Sequence, residues 1–249
     1  MRAAIARDDG SRPTPSVDPD EIARFSALAA RWWDPAGPMR PLHAMNPARV
    51  GWIAERIARR FGPDARPAIV DVGCGAGIAT EALAALGFPA LGIDASADAI
   101  AAARGHAAGS GLPAPPEYRA MAAEDLIAEG RTFPVVVSLE TIEHAADPAA
   151  FAAALRALIA PGGMLFASTL DRTARSWATA ILGAEYALRL LPVGTHDWRR
   201  FLRPSEFAAL LRANGLRVSD CAGLAPDPRT GAWRTTRDAR VNYLICAEA

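Results

Sequence analysis

From residue 68 onward, short apolar segments alternate with stretches of helical periodicity, and few architectures accommodate that alternation. Apolar runs fall at 68–72, 90–94, 135–139 and 164–169, with an extended piece at 117–120. Helices are expected from Gly77 to Leu86, from Ser96 to about Ala108, and from an Asp147-Pro148 start to Ile159. Short strands separated by longer helices predict an α/β fold, a doubly wound and mostly parallel sheet with helices on both faces. Two helices precede the first strand: one opens at Asp18-Pro19-Asp20-Glu21 and runs to Trp32-Trp33, the other starts near Asn46-Pro47. After the fifth strand the pattern breaks with an insertion at 171–203. A helix at 204–213 and two extended segments, 216–224 and 241–247, bring the expected strands to seven. Residues 1–17 read as a disordered tail and 18–249 as one domain, within the size that a single core can serve.

The first strand runs into Asp71-Val72-Gly73-Cys74-Gly75-Ala76-Gly77, where glycines let a ligand approach the backbone closely. G-x-G-x-G after an acid differs from the G-x-G-x-x-G that seats a pyrophosphate on a helix N-terminus, which favours a ligand without phosphates. Asp94 ends the next strand, where a carboxylate can accept from both ribose hydroxyls, and Glu124-Asp125 follow the third strand near the place of an adenine edge. Asp71, Gly73, Gly75, Gly77, Asp94 and Glu124 thus point to S-adenosylmethionine; the competing reading is a bare strand-to-helix turn. Cys74 reads as a small residue tolerated between glycines.

The fourth strand leads into Ser138-Leu139-Glu140-Thr141-Ile142-Glu143-His144. Glu140, Glu143 and His144 stand at i, i+3 and i+4, so one helical turn would place all three on one face. Oxygen-rich ligation with one imidazole suits Mg²⁺ first, or Mn²⁺ or Zn²⁺. Two other readings stay open: His144 as a general base without metal, and a structural cluster at a helix start. His43, His106 and the pair His196-Asp197 complete the histidines; a lone histidine is more often structural or exposed, although His196 could close a substrate pocket.

Composition narrows the partners. The formal charge is +0 and no basic block interleaves with aromatics, so the footprint of a nucleic-acid binder is missing. Cys74, Cys221 and Cys246 are far apart and odd in number, which fits a reducing compartment. No apolar run reaches the roughly 20 residues of a spanning helix, and the N-terminus lacks a signal-like apolar stretch, so a cytoplasmic protein is expected.

Taken in order, these motifs resemble the class I methyltransferases, and more specifically the ubiquinone biosynthesis O-methyltransferases. The resemblance rests on R-F-S-A-L-A-A-R-W-W-D-P (24–35), P-L-H-A-M-N-P-A-R (41–49), S-L-E-T-I-E-H (138–144), S-T-L-D-R-T-A-R-S-W (168–177), G-A-E-Y-A-L-R-L-L-P-V-G-T-H-D (183–197) and V-N-Y (241–243). It runs from about Ile22 to the end. It implies a Rossmann-like fold and methyl transfer from S-adenosylmethionine to phenolic oxygens of polyprenylated rings, in both O-methylation steps of the ubiquinone pathway. It also implies cofactor contacts at Arg49, Gly73, Asp94 and Leu139, the last standing where the family carries methionine. A phenol of pKa about 10 is a weak nucleophile at neutral pH, and a cation at Glu140, Glu143 and His144 would favour the phenolate.

A polyprenyl substrate resides in a membrane, so the insertion becomes the expected site of lipid contact. Trp177, Ile181, Leu182 and Tyr186 would form an interfacial face, and residues 172–203 hold six arginines against two acids in an otherwise neutral chain. This predicts peripheral association with anionic lipids of the inner membrane, with other enzymes of the pathway as candidate partners. The bland alternative is a core-facing helix. Two further functions compete: RNA 2′-O-methylation through a related E-x-x-E-H site, which the neutral charge opposes, and a non-catalytic membrane assembly module.

Overall fold

The computed structural model describes residues 18–178, 197–227 and 229–249. The expected tail, and Ile181, Leu182, Tyr186 and His196 of the insertion, lie outside the described residues. Helix α1 is Pro19–Leu28, started by Asp18, whose carboxylate accepts from Asp20 N, and continued by a 3-10 turn at Ala29–Arg31. Helix α2, Arg40–Phe61, starts earlier than Asn46 because Pro41 takes the first turn, where a missing N–H costs nothing. Pro47 then lies inside the helix, which forgoes the bond to the carbonyl four residues back.

The alternation follows as β1 (Ile69–Val72), α3 (Ile78–Ala85), β2 (Ala90–Asp94), α4 (Ala97–Gly109), β3 (Glu117–Ala120), α5 (Ala123–Ala128), β4 (Phe133–Leu139), α6 (Pro148–Ala157) and β5 (Ile159–Leu170). A short α7 (Ala174–Ser176) opens the insertion; α8 (Pro204–Ala213), β6 (Arg217–Pro226), β7 (Trp233–Thr236) and β8 (Asn242–Glu248) complete the chain.

The strands form one sheet in the order β3-β2-β1-β4-β5-β8-β6-β7. β1 to β5 pair in parallel, whereas β8 enters antiparallel between β5 and β6. The sheet therefore has eight strands, one more than the sequence predicts. The addition is β7, which folds back on β6 from Pro226↔Trp233 to Gly223↔Thr236; a four-residue W-R-T-T run shows no length that a pattern search would notice. One face carries α5, α6 and α8, with Leu126, Phe151, Leu155, Phe207 and Leu211 buried against Val136 and Leu165. The other carries α2 and α3, with Ile53, Ile57 and Leu83 against Val135 and Phe166. Strand order reverses between β1 and β4, so a crevice opens at their C-terminal ends, where open α/β sheets hold ligands.

Candidate active site

A cavity of about 830 Å³ occupies this crevice. Its walls come from the loop after β1, the ends of β2 and β4, helix α1 above, α2 behind, and the β6–β7 hairpin on the far side.

The first half is the glycine loop. Gly73 N and Cys74 N both donate to Ile93 O, at 2.8 and 3.0 Å, which fixes the loop on β2. Gly73 and Gly75 have φ of +73° and +54°, and an added Cβ would come within 2.3 Å of the Thr141 methyl group and of the Trp32 ring, respectively. Both glycines line the cavity. Gly77 does not; it precedes α3 at φ +87° with Tyr118 Oη 2.2 Å from where a Cβ would be, so its glycine serves helix packing. Asp94 accepts from Gly75 N through one oxygen and from Ser96 N through the other, each at 2.8 Å. Its carboxylate is thereby oriented, each oxygen still has lone-pair capacity, and burial raises its pKa against those two bonds.

Asp71 lies beneath the loop, 2 % exposed, and accepts from Thr80 Oγ1 at 2.6 Å. Burial pushes its carboxyl up to about 6, while the Thr80 bond and the Arg49 charge act the other way. Arg49 is buried on α2, bonded to Asn46 Oδ1 at 3.2 Å, with Nε unpartnered among the described residues. Burial lowers its pKa; Glu140 and then Asp71 oppose that shift. Leu139 ends β4 and lines the cavity, as do Arg49, Asp71 and Asp94. Glu124 does not reach it. It sits in the first turn of α5, and the wall at the expected adenine position is Met121, Ala122 and Ala123.

The second half is E-x-x-E-H, and here the single helical turn does not form. Glu140 adopts φ +53°, and only Ile142–His144 make a 3-10 turn. Nor does the cluster start α6, whose cap is Asp147. Glu140 is held from β5 and β8 instead: its N–H donates to Ser168 O at 3.0 Å and Ser168 Oγ at 3.1 Å, while its Oε1 accepts from Ser168 Oγ at 2.6 Å and Asn242 Nδ2 at 3.0 Å. Glu143 is 3 % exposed with Oε2 unpartnered, and burial followed by the Glu140 charge raises it to about 7. His144 Nδ1 pairs with Glu21 Oε2 at 2.9 Å, and Phe25 meets its ring edge-on. Burial works against the imidazolium, but the Glu21 bond and the charges of Glu143, Glu21 and Glu140 outweigh it and hold His144 above its ordinary range.

Among the described residues no three His, Cys, Asp or Glu side chains gather as a metal cluster. The donor chemistry nevertheless suits a divalent cation: Glu143 keeps a buried oxygen unpartnered among the described residues, and the Glu140 charge adds to the burial that raises its carboxyl, a repulsion that a cation would relieve. Glu21, Ser168 and Asn242, which bond His144 and Glu140, are not singled out by the sequence. Glu21 reads from sequence as a helix-start acid, and Ser168 and Asn242 carry no local signal beyond lying in S-T-L-D and V-N-Y.

Two of the remaining histidines, His43 and His106, make structural contacts. His43 pairs through Nε2 with Trp32 O at 2.8 Å. His106, expected to be solvated, stacks on Trp33 at 3.4 Å and bonds Glu81 at 2.9 Å. Trp177 is 43 % exposed and Ala178 lines the cavity. The excess charge of the insertion is partly neutralised by acids outside it, Arg172 by Glu206, Arg175 by Asp238 and Arg200 by Asp18. No helix among the described residues is long and apolar enough to cross a membrane.

Known proteins place the chain by family and by fold. The model of a methyltransferase domain family matches residues 48–220. The magnesium protoporphyrin IX methyltransferase of Synechocystis, solved with bound SAH, superposes with a TM-score of 0.61 at 17 % identity, covering 92 % of this chain and 93 % of that one. The plantazolicin methyltransferase in complex with SAH gives 0.63 at 16 % identity, covering 92 % and 96 %. Both establish the class I methyltransferase fold. The ubiquinone biosynthesis O-methyltransferase of Methylobacterium nodulans is 45 % identical, covering 94 % of this chain and 96 % of the relative. That of Parvibaculum lavamentivorans is 46 % identical and covers 94 % of each. At such identity over nearly the full length, the chain belongs to the ubiquinone biosynthesis O-methyltransferase family.

Proposed function

We propose that this protein transfers a methyl group from S-adenosylmethionine to phenolic hydroxyls of polyprenylated catechol and hydroquinone intermediates, in both O-methylation steps of ubiquinone synthesis. One observation carries the reading: a single cavity joins the glycine loop and Asp94 to the Glu140, Glu143 and His144 cluster. Gly73, Gly75 and Leu139 would pack on the cofactor, Asp94 would accept its ribose hydroxyls, and Arg49 and Asp71 would face the charged groups of its amino-acid end. The apolar wall of Leu170, Leu224 and Trp233 suits an aromatic ring and the start of an isoprenoid tail.

In the transfer, the phenolic oxygen forms a bond to the methyl carbon as the carbon–sulfur bond breaks, leaving neutral S-adenosylhomocysteine and a methyl ether. The phenolic proton must depart, and the cavity supplies alignment for the in-line displacement. Glu140, Glu143 and His144 would hold a divalent cation, Mg²⁺ foremost, which when bound favours the phenolate. The Glu21 carboxylate on His144 Nδ1 leaves Nε2 as the ring's working nitrogen. That pairing orients a metal-ligating imidazole and a general base equally well, so His144 as proton acceptor is the second reading.

We further read the exposed Trp177 and the insertion as the membrane-facing part, giving a cytoplasmic protein held peripherally on anionic lipid of the inner membrane. Purified protein with S-adenosylmethionine and a short-tailed prenyl catechol tests the chemistry, compared as prepared, chelated, and resupplied with Mg²⁺. Product lost on chelation and restored by metal supports the cation. Product indifferent to chelation moves the role to His144, and no product in any condition refutes the proposal.

A further inference from the structure

Two adjacent indoles, Trp32 and Trp33, follow the 3-10 turn after α1, and their N–H groups end in opposite states. Trp33 donates Nε1 to Ala76 O at 2.9 Å and stacks on His106, with ring centroids 3.4 Å apart, so it fastens the segment to the glycine loop. Trp32 is only 6 % exposed and lines the cavity, and its Nε1 has no acceptor among the described residues. Unlike Trp52 Nε1, which is unpartnered and fully enclosed, Trp32 Nε1 is not sealed off, so its N–H opens on the cavity that the residue lines.

The ring is held in place. Trp32 O pairs with His43 Nε2 at 2.8 Å, and the indole packs with Met39, Ala76 and Ile78. The ring atoms nearest a Cβ built on Gly75 are Cζ2, Cη2 and Cε2, and Cε2 carries the nitrogen. The N–H therefore lies beside Gly75, the residue whose own N–H donates to Asp94 at 2.8 Å.

That position needs a donor. A carboxylate only accepts, so a ribose hydroxyl bound by Asp94 gives up its proton and keeps its oxygen lone pairs. Gly75 N and Ser96 N, the backbone donors on either side of Asp94, are already taken by its two oxygens. Ser96 Oγ is engaged with Ser26 Oγ and Ala99 N. An indole N–H is a donor only, and leaving it unpaired in a closed wall is a cost that a ligand oxygen removes.

We propose that Trp32 is a cofactor-binding residue: its indole N–H donates to a ribose hydroxyl oxygen of S-adenosylmethionine while that hydroxyl donates to Asp94. The ribose is thereby gripped in both directions, by an acceptor at the end of β2 and a donor from the segment after α1. This inference rests on the cofactor reading of the cavity given above.

Calorimetry tests it with four compounds: S-adenosylhomocysteine, 5′-methylthioadenosine, which keeps the ribose but lacks the amino-acid end, and the 2′-deoxy and 3′-deoxy forms of the latter. Trp32→Phe keeps an aromatic ring beside Gly75 and removes the N–H. It should weaken S-adenosylhomocysteine and 5′-methylthioadenosine alike, by about 3- to 10-fold, the range for one hydrogen bond. For one of the two deoxy forms, variant and wild type should bind equally, because the acceptor is already gone. Loss confined to S-adenosylhomocysteine would put the N–H on the carboxylate and overturn the ribose assignment. An equal loss on all four compounds would reduce Trp32 to packing and overturn it as well, as would no loss at all. Wild type that binds neither parent compound would refute the cofactor reading and this inference with it. Should Trp32→Phe fail to fold, wild type labelled with nitrogen-15 tryptophan decides the matter. The Trp32 indole proton, assigned through its contacts with Met39 and Phe25, should move downfield with 5′-methylthioadenosine and stay in place with one deoxy form; a signal that responds to both deoxy forms as to the parent, or to none, overturns the assignment.

Discussion

Replacing Asp71 by asparagine should stabilise the ligand-free protein while weakening cofactor binding. Asp71 is buried and held up to about 6, against 3.8 for an unperturbed aspartate. An acid whose pKa is higher in the folded state contributes fully below the unfolded pKa, and its contribution falls as the pH rises through the folded one. Between pH 4 and 6 the chain therefore loses stability at this group. The shift corresponds to about 3 kcal/mol at roughly 1.4 kcal/mol per unit, reached above pH 6 to 7. Asparagine stays neutral, retains an oxygen for Thr80, and leaves Arg49 facing Glu140, the first of its two balancing charges. The readout is the difference in Tm between Asp71→Asn and wild type, which cancels every other titrating group. It should be near zero at pH 4 and rise to roughly 6–12 °C at pH 8, at about 2–4 °C per kcal/mol for a domain of this size. Calorimetry with S-adenosylmethionine should show the reverse preference, because its positive charges compensate an ionised Asp71. A Tm difference that is flat with pH, or negative at pH 8, would show that Asp71 is ionised at no cost and refute the reasoning.

Gly75→Ala should bind S-adenosylhomocysteine at least tenfold more weakly by titration, because a Cβ at φ +54° carries about 1–2 kcal/mol of backbone strain and drives into the Trp32 ring; equal affinity would show that the ring yields freely. Glu140→Ala should lower turnover of the prenyl catechol at least 100-fold while leaving S-adenosylhomocysteine affinity within about threefold, measured by initial rates and calorimetry; unchanged turnover would revive a non-catalytic role. Changing Trp177, Ile181 and Leu182 together to serine should reduce co-sedimentation with anionic liposomes several-fold, whereas equal retention would remove the insertion from the membrane contact.

That Asp71, Gly73, Gly75 and Asp94 line one cavity was legible because their signals are local. Asp71, Gly73 and Gly75 are neighbours in sequence, Asp94 lies one strand-turn-helix unit away, and each answers a backbone requirement that only a few residue types meet. The E-x-x-E-H segment was legible as a cavity wall but not in shape. Glu140, Glu143 and His144 all line the cavity beyond the end of β4 but do not gather as a triad, and Glu140 leaves the helical path where Ser168, 28 residues on, and Asn242, 102 residues on, bind it from two other strands. Glu21 and His144 are 123 residues apart, and nothing in either segment announces the pairing. Glu124 misled for the opposite reason: an acid after a strand can serve equally well as a first-turn helix residue.

The roof of the cavity has a consequence for how the protein is made. Helix α1 is made before the partners that hold it: Ser96 follows Ser26 by 70 residues, His144 follows Glu21 by 123 and Arg200 follows Asp18 by 182. At roughly 5–20 residues per second, about ten to forty seconds of synthesis separate the helix from the last of these partners. Through that interval the apolar side of α1, with Ile22 and Phe25, has no complete cavity to close. Closing so long a loop also defers the later contacts until the sheet beneath has formed. Helix α1 thus docks in stages, first on the glycine loop and α4 and only later through its ion pairs over the cavity.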